Sequence, residues 1–136
     1  DYWESVATHF PAWTRVRDGD LLSSEVRESY IHSHGIALQA LAKAGNALIK
    51  RHPNDWKDRL AGLKRIDWSR SNAKLWEGRA MVGGRISKAS TNVTLTINAV
   101  KDVLDLPLED EESRIEEAYR KGSLYSANRS KVSDVK

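Results

Sequence analysis

The chain has 136 residues, a formal net charge of +3, 40% hydrophobic and 30% charged residues, and no cysteine. That is one domain of ordinary size, or a piece of a larger protein, with a packed but not oily core. Disulfide and thiol chemistry are excluded, and no run of about 18 apolar residues offers a membrane span.

The chain opens on Asp1, shows no signal-peptide pattern, and enters an amphipathic segment at once, which reads as an excised C-terminal region of a cytoplasmic protein. Trp3, Val6, Ala7 and Phe10 recur at the spacing of one helical face, so a helix is expected over residues 1–10. Pro11 ends it or begins the next, because proline fits a first turn and not a helix interior. Asp18-Gly19-Asp20 is a turn. Ser23 or Ser24 then caps the longest expected helix, residues 25–50, with Val26, Tyr30, Ala37, Leu41, Ala44 and Leu48 inward. Such a helix would be roughly 40 Å long and central to the domain. Gly35 and Gly45, with Ala40, Ala42, Ala44 and Ala47, give it a slim side suited to a close neighbour.

Pro53-Asn54 breaks the chain, and Asn54 can cap a helix through Ile66. Ser69 or Ser71 starts a short helix carrying Leu75 and Trp76. Residues 78–84 read as irregular, with a tight turn at Gly83-Gly84. Ser90, Thr91 or Asn92 caps a helix that runs from Val93 to Leu104 and stops before Pro107. The β-branched run from Val93 to Ile97 also alternates like a strand, but no second strand is evident to pair with it. An acidic helix over residues 109–121 ends at Gly122, and residues 123–136 read as a polar, disordered tail. The expected fold is all-α: a compact bundle of five or six helices around a long central helix, occupying residues 1–122.

Charge is unevenly placed. Between Lys57 and Lys88 nine Lys/Arg face three acids, a balance of +6; between Asp102 and Glu117 eight acids face Arg114 alone, a balance of −7. The basic stretch reads as a surface for an anion, or as a solvated face neutralised by the acidic helix. Recognisable catalytic chemistry is absent. His32 and His34 point to different faces of a helix, and the i, i+4 pair Glu28 and His32 has no further ligand pair, so no metal site is expected. The Gly83-Gly84 pair is not a Walker loop, no nucleophile elbow occurs, and no cofactor is expected. Asp67 reads as a cap or an arginine partner. Trp68 and Trp76 read as core residues rather than platforms for a base.

Residues 27–49 (RESYIHSHGIALQALAKAGNALI), 55–72 (DWKDRLAGLKRIDWSRSN), 76–96 (WEGRAMVGGRISKASTNVTLT) and 104–108 (LDLPL) resemble the C-terminal part of the DndB family of DNA sulfur modification proteins. The irregularly spaced IDWSR-SN-W-GRA and GR-SK-S-NV series are the most specific pieces. The resemblance implies a transcriptional regulator that binds the promoter region of the genes replacing a phosphate oxygen of DNA with sulfur. The family's N-terminal DGQHR-type motif, on a ParB-like fold, has no counterpart in this sequence. No catalytic residue is carried over.

Together these readings predict a non-enzymatic DNA-binding module. Arg70, Lys74, Arg79, Arg85 and Lys88 would neutralise phosphates of double-stranded promoter DNA, and Ser90 and Asn92 would fix register. The alternative is a module for protein–protein contact or homo-oligomerisation, motivated by the slim side of the long helix and by the opposite charges of the two segments.

Overall fold

In the computed structural model, which describes the backbone of residues 1–134 and the side chains of residues 1–122, Pro11 starts a helix rather than continuing one. Helix α1 is Tyr2–Ala7 and α2 is Pro11–Arg17. The proline sits where its missing N–H has no partner to lose. Phe10 between them is buried.

The long expected helix is two helices. α3 is Ser23–Ser29 and α4 is Gly35–Arg51. Between them Tyr30 is extended and pairs antiparallel with Ser69; Ile31 N–H donates to the Trp68 carbonyl at 2.8 Å, and Arg70 N–H to that of Ser29 at 2.9 Å. A short sheet-like pairing to a segment about forty residues away thus replaces a helical turn. Local sequence favours the exchange, because Ser29, Ser33 and Gly35 are weak helix formers and Tyr30-Ile31 suits extended backbone. His32 then stacks flat on Tyr30 (4.8 Å, 10°), and its Nδ1 accepts from Trp13 Nε1 at 3.1 Å. Phe10 and Trp68 complete this aromatic cluster.

The expected helix from Asn54 is also shorter: α5 is Trp56–Arg59, followed by a 3-10 helix, Leu60–Arg65. Gly62 lies against the backbone carbonyl of Val103, where no Cβ would fit. Helix α6 is Ala73–Trp76. Trp68 and Trp76 are buried and donate their indole N–H groups to the carbonyls of Leu63 and Asp67. Among the described residues Asp67 neither caps a helix nor pairs with an arginine; its Oδ1 accepts from the N–H of Ser69 in a local turn.

The stretch expected to be irregular contains a hairpin. Strand β1, Met81–Val82, pairs antiparallel with β2, Arg85–Ile86, with Met81 opposite Ile86. Gly83 and Gly84 form its tip at φ 61° and 78°, backbone that a two-residue hairpin turn requires and glycine adopts freely. Helix α7 is Ser90–Val103. Its cap residue is Ala89, so Ser90, Thr91 and Asn92 lie inside the first turn rather than before it. It ends through Asp105, which takes the left-handed conformation (φ 56°) two residues ahead of Pro107.

α4 packs against α7, and α7 against α8, Asp110–Asp134. The small residues Ala37, Ala40, Ala44 and Gly45 of α4 are buried inside the domain, and the Tyr2 ring lies on Gly45. α8 continues past Gly122. The tail expected over residues 123–136 falls on positions whose side chains lie outside the described residues. The described fold is therefore mostly α, as expected, but with eight α-helices, a central helix of 17 residues, and a small hairpin.

Candidate nucleic-acid interface

The acidic segment is not wholly solvated. Glu112 and Glu116 are buried on the α7 side of α8. Glu112 accepts from Lys101 Nζ at 2.7 Å and from the N–H of Glu109 at 2.8 Å, so one carboxylate holds both a cation and the start of its own helix. Glu116 grips Arg79 in a two-pronged bond of 2.8 and 2.7 Å, and also accepts from Asn98 and Arg120. These bonds, Arg79's first, lower its pKa from 4.5 to about 2 against the opposing effect of burial.

That geometry divides the basic stretch. Arg79 is turned inward: its side chain is 11% exposed, it donates to the Leu95 carbonyl, and its guanidinium lies 4.7 Å from the Tyr119 ring centroid. It is part of the packing between the hairpin and α8, not of an open surface. Arg65 reaches Asp105 at 3.6 Å, and Arg59 pairs with Asp55 at 2.8 Å. Intramolecular neutralisation, the plainer reading of the charge split, thus accounts for some cations and not others.

Arg70, Lys74, Arg85 and Lys88 have no carboxylate partner among the described residues. Arg70 donates to the carbonyls of Arg27 and Gly84, each at 3.3 Å, so it is held beside the hairpin tip. Arg85 is exposed in the strand leaving that tip. Lys88 is exposed just before α7 and shares an open groove of about 740 Å³ with Lys43, Asn46, Ser90 and Thr94. Lys74 is exposed on α6 and is not among the residues that line this groove.

Ser90 is exposed, and its backbone carbonyl accepts from the Thr94 hydroxyl at 3.2 Å. Asn92 has both ends of its amide occupied: Nδ2 donates to the Gly78 carbonyl at 3.0 Å, and Oδ1 accepts from Ser87 at 2.8 Å. It ties the hairpin to α7. Lys43 was not among the expected residues. Its exposed place on α4, on the side away from Leu41 and Leu48, is readable from helical spacing, but its neighbour across the groove is not.

The sequence matches the DndB family, described as DNA-sulfur modification-associated, over residues 1–107. The chain belongs to the DndB family. The matched region takes in the aromatic cluster, the hairpin, α7 and most of the exposed cations just described. DndB membership ties the domain to DNA sulfur modification. No curated protein and no solved structure matches the chain. Among the described residues, no helix is long and apolar enough to cross a membrane.

Proposed function

We propose that this chain is a DNA-binding helical module of a regulator of the DNA phosphorothioate modification genes, without catalytic activity of its own. Its partner is double-stranded promoter DNA. The observation that carries the reading is the set of cations around the hairpin and the start of α7 that have no carboxylate partner among the described residues: Arg70, Arg85 and Lys88, with Lys43 across the groove. Arginine presents a forked donor to phosphate, and lysine a point charge. Family membership supplies the link to DNA sulfur chemistry. Ser90 stands at the α7 N-terminus beside Lys88, where its hydroxyl would add a hydrogen bond to phosphate.

The test is binding of the chain to promoter duplex and to unrelated duplex across a range of salt. Affinity should fall linearly on a log–log plot. The double variant R85A/K88A should lower that slope by roughly two, at about 0.9 for each phosphate left without its cation. Salt-independent binding, or an unchanged slope in the double variant, would reject the assignment.

A second reading has one observation in its favour. Trp13, Val16, Val26 and Leu38 line a mostly apolar groove of about 320 Å³, and Leu22 nearby is 65% exposed. That surface suits a protein partner or a second copy. Sedimentation at high and low salt separates the two: self-association through this groove survives high salt, whereas DNA binding does not.

A further inference from the structure

The hairpin tip already holds an anion, and it is the chain's own. The Glu77 carboxylate accepts the N–H of Gly83 at 2.7 Å through Oε2 and that of Gly84 at 2.9 Å through Oε1. Two successive backbone donors converge on one pair of oxygens, a geometry a phosphate satisfies equally well. The tip is open: a Cβ at either glycine would meet nothing within 4 Å, and Gly83, Gly84 and Glu77 are all exposed. Cations flank it, since Arg70 Nη2 lies 3.3 Å from the Gly84 carbonyl and Arg85 is the next residue.

We propose that the Gly83-Gly84 tip is a phosphate-binding site of the DNA-contacting surface, kept closed in the free protein by Glu77. The inference rests on the DNA-binding reading above and adds a self-competing carboxylate to it. Glu77 is anchored close by: its backbone carbonyl accepts from the Tyr119 hydroxyl, and its backbone pairs with Met81. The carboxylate is therefore a tethered competitor at high local concentration. A free monoanion at low concentration displaces it poorly. A DNA backbone that also meets Arg70, Arg85 and Lys88 displaces it more readily, because several interactions form together. The competition lowers affinity for any isolated phosphate and reserves the tip for a polyanion.

The experiment compares E77Q with E4Q, a neutralisation of the same size at an exposed position on α1. Both are titrated with promoter duplex at several salt concentrations, beside the unsubstituted chain. E77Q should bind roughly three- to tenfold tighter than E4Q, because donors to a charged acceptor are freed. Its log–log salt slope should steepen by about one phosphate equivalent. Equal affinity and equal slope in E77Q and E4Q, with normal binding by the unsubstituted chain, would overturn the closed-site proposal and leave DNA binding standing. No salt-dependent binding by the unsubstituted chain would overturn both.

Amide NMR of the unsubstituted chain avoids any dependence on a variant's folding. The Gly83 and Gly84 signals should move on adding duplex, and unmoved signals would overturn the proposal. Inorganic phosphate is the remaining probe. If it shifts those signals in E77Q while duplex affinity stays at the E4Q level, the tip serves free phosphate and the assignment to DNA is overturned.

Discussion

Arg79 and Glu116, thirty-seven residues apart, form a bidentate ion pair with side chains 11% and 7% exposed. The pair joins the basic stretch to the acidic helix inside the molecule. It turns the most obvious arginine of the GRA motif into a structural residue. Removing Arg79 leaves the buried Glu116 carboxylate with Asn98 and the exposed Arg120 as partners, and neutralising Glu116 leaves Arg79 buried with no carboxylate partner among the described residues. R79A and E116Q should each cost about 3 kcal/mol in urea unfolding. Any loss of DNA binding in R79A should follow the unfolded fraction, so binding measured where the variant is folded should be near normal.

The same pair sets an acid dependence. The folded pKa of Glu116 lies near 2, below its ordinary 4.5, chiefly because of the Arg79 hydrogen bonds. An unfolded chain therefore takes up the proton first. The stabilising contribution is complete above about pH 4.5 and is lost as pH falls toward 2. Unfolding free energy against pH should decline through that window, and the decline should be weaker in E116Q.

His32 gives a second dependence at higher pH. Burial, and secondarily the nearby charge of His34, lower its pKa from 6.5 to about 4. Its Nδ1 accepts the Trp13 N–H, so protonation there removes the acceptor. Because the unfolded histidine binds its proton near pH 6.5, stability is full above that value and falls as pH drops toward 4. Trp fluorescence, together with urea midpoints, should report a loss on the order of 3 kcal/mol over that range, absent in H32F.

Gly45 has no space for a methyl group, because the Tyr2 ring occupies it. Tyr2 is fixed there by its hydroxyl, which donates to the Leu41 carbonyl at 2.5 Å. G45A should destabilise by about 2 kcal/mol, the usual cost of overpacking. In a Y2A background the same substitution should cost much less. A double-mutant cycle measures the coupling; additive costs would refute the close approach.

Lys43 and Lys88 line one groove from opposite elements. If DNA runs along it, K43A should reduce the salt slope of binding by about 0.9, as K88A does. K74A, whose lysine does not line that groove, should change the slope less. Fluorescence anisotropy with a labelled duplex at three salt concentrations decides this.

The sequence alone determined the helical class, the breaks at Pro11 and Pro53, the tight Gly83-Gly84 turn, and the core placement of Trp68 and Trp76. All depend on neighbours a few residues apart: the fixed φ of proline, the positive φ of glycine, the period of apolar side chains. The irregularly spaced runs also carried the family resemblance. Tertiary structure decided the rest. Tyr30 leaves the helical pattern because Ser69 offers it a backbone partner, a pairing that outweighs local periodicity. Arg79 and Arg85 lie six residues apart in one basic run, yet one is gripped by Glu116 and the other faces water. Charge and residue type are local properties. Whether a cation is free or already neutralised depends on which distant carboxylate the fold brings within bonding distance.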